Sequence, residues 1–211
     1  VKLSDYLGDD LEVYGYPNPI AEDMNNDGKV DIITSQFTGN IFIFKNISTN
    51  SYPVLEPKCK VTTINGEYES EFQTLTLHVT DWDDDNDMDI FFQGENQRVG
   101  YLENTGLLNA NNLPIFEEPV YIRCDSAYLN SAMLPACDIY DWDCDGDLDV
   151  IFGDSAGFIG WYECLGFYPD LKYDEAQIFK ANGEPIRITA GINGSIQGPA
   201  EEKWGYTVPS A

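Results

Sequence analysis

The sequence predicts an all-β protein built from a repeated, four-stranded antiparallel unit of about 60 residues, and three observations carry that expectation. An acidic motif recurs as DMNNDGKVDII from Asp23, DWDDDNDMDIFF from Asp81 and DWDCDGDLDVIF from Asp141, with starts 58 and then 60 residues apart. A second block keeps the same register: NIFIFKNIS from Asn40, RVGYLENTG from Arg98 and FIGWYECLG from Phe158. Apolar residues alternate with the period of strands, and no stretch of helical length shows a helical period.

Each unit reads as four strands. The first enters the acidic loop, as in TLTLHVTD, Thr74 to Asp81, where Leu75, Leu77 and Val79 share one face. The second leaves it, over Val30 to Ser35, Met88 to Gln93 and Leu148 to Asp154. A third follows a short turn containing Gly or Asn, and a fourth precedes the next unit. Four antiparallel strands in each such repeat is the pattern of β-propeller blades. A β-solenoid is the alternative, but its repeats are shorter. The expected boundaries are blade one about 9–66, blade two about 70–126 and blade three about 131–190, with a crossover loop and the first strand of a fourth blade over 191–211.

That makes an incomplete ring, about three blades plus one strand, whereas closed propellers have about four to eight blades. Pro19 precedes its loop by four residues and Pro135 by six, so Pro209 predicts a further loop at 213 or 215, beyond Ala211. Further blades, or another chain, are expected to complete the ring and cover its edge strands.

Composition narrows the partners. With 43% hydrophobic and 13% aromatic residues in 211, the chain has material for a core. Eleven basic against 37 acidic residues give a formal charge of −26, which argues against nucleic acid and anionic membrane surfaces and for cations. No apolar run approaches the length of about 18 residues needed to span a bilayer, so no membrane insertion is expected. Cys59, Cys124, Cys137, Cys144 and Cys164 lack C-x-x-C spacing; they allow one or two bridges with at least one thiol left over.

The acidic loops carry the chemistry. Oxygen side chains stand at positions 1, 3, 5 and 9 of each: Asp23, Asn25, Asp27 and Asp31; Asp81, Asp83, Asp85 and Asp89; Asp141, Asp143, Asp145 and Asp149. Position 7, Lys29, Asp87 or Asp147, can offer its backbone carbonyl. Gly28 and Gly146 at position 6 supply the left-handed residue of a sharp turn, and Asn86 replaces them in the middle loop. Hard oxygen donors without His or Cys among the selected positions predict Ca2+ at three sites, since magnesium wants a tighter octahedron with retained waters. Without an ion, carboxylates this crowded repel one another. An EF-hand is excluded: position 12 is Thr34, Phe92 or Phe152 rather than Glu, and strands flank the loop.

The pattern D-x-[DN]-x-D-[GN]-x-x-D between strands resembles the FG-GAP or VCBS repeat of calcium-binding β-propellers, the class that includes integrin α-subunit propellers. Phe152-Gly153 matches the FG of the name. DWDCDGDLDVIFGDSAGFIGWYE and ITAGINGSIQGPAEEKWGYTVPSA are most similar to secreted VCBS-repeat proteins of Bacteroidetes. The resemblance implies the propeller fold and calcium; it leaves function open, because such propellers serve adhesion, glycan binding and catalysis alike.

Two functions follow as expectations. The first is a non-catalytic, calcium-stabilised propeller of a secreted, periplasmic or cell-surface protein that binds a glycan or protein through its loops. Weak extracellular sites, with dissociation constants of about 10⁻⁴ to 10⁻³ M, would stand empty at cytosolic calcium, which favours an outside location. Lys203, Trp204 and Tyr206, after the glycine-rich stretch from Ala190, are the candidate ligand-binding residues; the alternative for this stretch is an inter-blade crossover. Trp82 and Trp142, at position 2, are expected to pack against a neighbouring blade. The second function is a fragment of a propeller-type polysaccharide lyase or glycoside hydrolase acting on rhamnose- or uronate-containing glycans. It needs a base and a cation near a carboxylate. His78 lies on a polar strand face, where it reads as a hydrogen-bonding residue, and Arg98, Arg123 and Arg187 are dispersed, so no catalytic residue is assigned.

Overall fold

The computed structural model describes residues 4–8, 10–15, 17–95, 98–124, 127–129, 136–166 and 172–191. Among these residues all regular structure is strand, and there is no helix. The fold is all-β, with four-stranded sheets that recur along the chain.

Three sheets follow the sequence repeat. The first takes Ile20–Glu22, Asp31–Ser35, Ile41–Phe44 and Cys59–Lys60 in chain order, every pair antiparallel. The second places Thr76–Thr80, Asp89–Gln93, Val99–Leu102 and Val120–Tyr121 side by side, again in chain order. The third is the antiparallel series Ala136–Tyr140, Asp149–Gly153, Ile159–Tyr162 and Gln177–Ile178. In each, the acidic loop joins the first strand to the second. That second strand is almost wholly buried, which is why DIITS, DIFFQ and DVIFG read as apolar runs rather than as half-buried alternation.

Facing residues exchange bulk across the second and third strands. Phe152 pairs with Gly160, and a Cβ on Gly160 would come within 2.6 Å of the Phe152 ring. Gly100 stands in the same relation to Phe92. In the first repeat the pair is reversed, with Thr34 opposite Phe42. One large and one small residue fill this layer each time, as close packing requires.

A hairpin follows each fourth strand: Thr62–Thr63 with Gly66–Glu67, Arg123–Cys124 with Ala127–Tyr128, and Lys180–Ala181 with Glu184–Pro185. The first joins a further four-stranded sheet through a parallel pairing with Pro114–Phe116, itself antiparallel to Asn104–Leu108. The chain folds into two compact units, Val1–Phe91 with Tyr101–Val120, and Phe92–Gly100 with Tyr121–Ala211. The five cysteines are all free, a correction to the one or two bridges that their number allowed. Cys137 and Cys164 are buried, as thiols that act as small apolar groups are.

Candidate metal centre

The three loops share one hydrogen-bond scheme, which follows from placing short acceptor side chains at every second residue. The first aspartate accepts two backbone N–H groups from across the loop. Asp23 takes those of Asp27 and Gly28 at 3.1 and 2.7 Å, Asp81 those of Asp85 and Asn86 at 3.1 and 3.0 Å, and Asp141 those of Asp145 and Gly146 at 3.1 and 3.2 Å. The fifth accepts the N–H two residues on, from Lys29, Asp87 or Asp147, at 3.0, 2.9 and 3.1 Å.

The ninth position ties loop to sheet. Asp31, Asp89 and Asp149 are fully buried at the start of the second strand. One oxygen of each accepts the N–H of position 2, from Met24, Trp82 or Trp142 at 3.3, 3.0 and 3.0 Å. The other accepts the N–H that follows the third strand, from Asn46, Asn104 or Cys164 at 2.7, 2.8 and 2.8 Å. These carboxylates therefore hold the backbone as well as facing the loop, a role that ligand spacing alone does not reveal.

Two residues per loop have left-handed backbone. Gly28, Asn86 and Gly146 do so at position 6, as the turn demands. Position 4 does so too: Asn26, Asp84 and Cys144 have φ of 55°, 60° and 63°. Asparagine and aspartate tolerate this region, and the signal was present in the first two loops; Cys144 is the poorly suited residue of the three.

The donor set suits a hard divalent cation. Carboxylate oxygens of Asp81, Asp83 and Asp89 lie within 4.8 Å of one another, as do those of Asp141, Asp143 and Asp145. Each loop also contains one buried side-chain oxygen with no hydrogen-bond partner: Asn25 Oδ1, Asp87 Oδ1 and Asp147 Oδ1. A buried acceptor left unmatched costs free energy that a cation would recover. The spacing assigned position 7 its carbonyl alone; in the second and third loops the carboxylate there is also buried. The clue was that both are Asp where the first loop has Lys29.

Burial without a counter-charge raises the carboxyl pKa values. Desolvation takes Asp89 up to about 7 and Asp31 up to about 6, against the backbone N–H bonds that lower them. Desolvation, and then Asp85, takes Asp87 up to about 6. Desolvation, and then Asp145 and Asp149, takes Asp147 up to about 7. Asp83 and Asp149 are raised for the same first reason. A bound cation reverses this logic by favouring the ionised form.

The first loop differs. Asn25 replaces a carboxylate and donates its amide to the Asn112 carbonyl at 2.8 Å, while Lys29 lies 3.8 Å from Asp27. Asn26 donates to the Asn86 carbonyl of the second loop at 2.9 Å, so these two loops touch.

Other sequence candidates fare variously. Lys203, Trp204 and Tyr206 lie outside the described residues. The Trp82 ring lies on Phe91 and Tyr101 of its own repeat, with centroids 4.3 and 6.1 Å away, and its backbone N–H is bound to Asp89. Trp142 is half exposed against Phe179, 4.9 Å away and also in its own repeat. His78 is half-buried in Thr76–Thr80. Arg98 and Arg123, dispersed in sequence, both lie over the Tyr128 ring, at 4.0 and 4.2 Å, and Arg187 lies over Phe158 at 5.2 Å.

No protein-family model matches the chain, no curated protein matches it, and no solved structure matches its fold.

Proposed function

We propose that this chain is the calcium-stabilised part of a β-propeller of the FG-GAP or VCBS kind, a non-catalytic module of a secreted, periplasmic or cell-surface protein that binds a glycan or protein through its loops. The three repeat-bearing sheets are its blades. Propellers have about four or more blades, so on this reading further blades, from this protein or another chain, complete the ring.

The observation that carries the reading is the threefold recurrence of one loop scheme, with a buried oxygen lacking a partner in every copy. Asp23, Asn25, Asp27 and Asp31 hold the first ion, with the Lys29 carbonyl. Asp81, Asp83, Asp85, Asp87 and Asp89 hold the second, and Asp141, Asp143, Asp145, Asp147 and Asp149 the third. The ions bind where the loop meets the second strand, so they stabilise the sheet and set the loops for a partner. Calorimetric titration of chelator-treated protein tests this: the expected result is three calcium ions per chain, the first loop weakest because it carries fewest acids. A titration showing no calcium uptake would overturn the reading.

A further inference from the structure

The first loop differs from the other two at positions 3 and 4, and both differences reach out of its own repeat. These positions read Asn25-Asn26 in the first loop, Asp83-Asp84 in the second and Asp143-Cys144 in the third. Asn25 Nδ2 donates to the Asn112 carbonyl at 2.8 Å, and Asn26 Nδ2 to the Asn86 carbonyl at 2.9 Å. Both acceptors belong to the second repeat, and all four residues lie in one compact unit. An ionised carboxylate has no donor to offer and could make neither bond.

The bond to Asn112 decides which way the Asn25 amide faces. Only its nitrogen can bond a carbonyl, so Oδ1 is turned the other way. Asn25 is buried, at 8% exposure, and this Oδ1 has no hydrogen-bond partner. Position 3 faces its loop in the other copies, where Asp83 and Asp143 bring an oxygen within 4.8 Å of the other clustered carboxylates. Ligand oxygens approach calcium to about 2.3–2.6 Å, closer than they approach water, so an oxygen hidden from water still serves an ion inside its own loop. An aspartate presents an oxygen whichever way it turns; a flipped asparagine would present two N–H donors to the cation. The aim of the side chain at position 3 therefore matters in the first loop alone.

The turn that supplies the carbonyl is itself braced. Asn109 Oδ1 accepts the N–H groups of Asn111 and Leu113 at 2.9 and 3.2 Å, and Asn109 Nδ2 donates to Thr62 Oγ1 at 3.2 Å. Lys45 Nζ donates to the Asn111 carbonyl at 2.8 Å. Thr62 and Lys45 belong to the first repeat, so the turn is fastened to the repeat whose loop it serves. Asn112 has left-handed backbone, with φ of 57°, and that conformation sets the direction of its carbonyl.

We propose that the first calcium site is completed by the second repeat: Asn112 is a positioning residue whose carbonyl aims Asn25 Oδ1 at the ion, whereas the carboxylates at position 3 of the second and third sites need no such help. This rests on the calcium reading above, and it makes the first site dependent on a neighbouring repeat.

Gly28, Asn86 and Gly146 hold position 6 of the three loops, so their amide NMR signals follow each site separately as the chelator-treated full chain is titrated with calcium. Asn112→Val puts a β-branched residue where the backbone is left-handed and moves the carbonyl. It is expected to weaken calcium binding at Gly28 about tenfold and to leave Gly146 unchanged. Asn112→Gly keeps the backbone and is expected to bind as the wild type does. Asn109→Ala unbraces the same turn and is expected to weaken the same site, should Asn112→Val disturb the fold. Beside Asn25→Asp, Asn112→Val is expected to cost the Gly28 site nothing, because a carboxylate needs no aiming. Wild-type affinity at Gly28 in both turn variants, an equal loss at Gly146, or a loss that persists beside Asn25→Asp would overturn the proposal and leave the calcium reading intact. Calcium uptake at none of the loops would overturn both.

Discussion

Asp149 does two jobs that pull in opposite directions without a cation. It holds the Trp142 and Cys164 N–H groups, yet it sits beside other carboxylates with its own pKa raised by burial. Asp149→Ala is expected to cost about 2–4 kcal/mol even in metal-free protein, because two backbone donors lose their acceptor; urea denaturation in the presence of chelator checks this. Asp83→Asn should instead leave metal-free stability nearly unchanged and weaken calcium binding in the second loop. At position 4, Cys144→Asn relieves a left-handed cysteine and should stabilise by about 0.5–1 kcal/mol. The raised carboxyls also set a pH dependence. Their folded pKa values, about 6 to 7 for Asp31, Asp87, Asp89 and Asp147, exceed the unfolded value of about 3.9. Their contribution is greatest below the unfolded value and is lost as pH rises through the folded one. The Tm of metal-free protein should therefore fall from pH 5 to pH 8, and saturating calcium should flatten that slope; thermal melts across pH decide it. The spacing of acids made the loops legible, because alternation puts donors on one side. It did not show the second role of position 9, which depends on residues such as Asn46 and Cys164 that lie fifteen positions on in sequence.

At the scale of elements, the second and third strands were readable because they are long, apolar and anchored to the acidic motif. Strand Asp149–Gly153 falls inside the expected Leu148 to Asp154, and Asp89–Gln93 inside Met88 to Gln93. The hairpins after each fourth strand escaped the sequence, since two-residue strands such as Arg123–Cys124 are too short to show a period of two. The antiparallel pair Asn104–Leu108 and Pro114–Phe116 escaped as well, because among the described residues the corresponding segments of the other repeats carry isolated bridges rather than strands: Asn46 with Leu55, Thr49 with Tyr52, and Cys164 with Tyr173. The packing within a sheet offers a test free of the metal. Gly160→Ala places a methyl group against Phe152 and the Gln177 carbonyl, both 2.6 Å from the new carbon. It should destabilise by about 1–3 kcal/mol through overpacking, and calcium should not restore the loss; melts with and without the ion read this directly.

Charge governs the behaviour of the whole molecule. Three divalent ions would offset six of the 26 net negative charges, and they would do so where the acids are most crowded. The propeller reading makes calcium part of the fold, so its removal should loosen every repeat rather than silence one site. The most direct measurement is the melting temperature of chelator-treated protein titrated with calcium, with magnesium in parallel. The account predicts a saturable rise with calcium and a much smaller one with magnesium. A melting temperature that calcium leaves unchanged would contradict it.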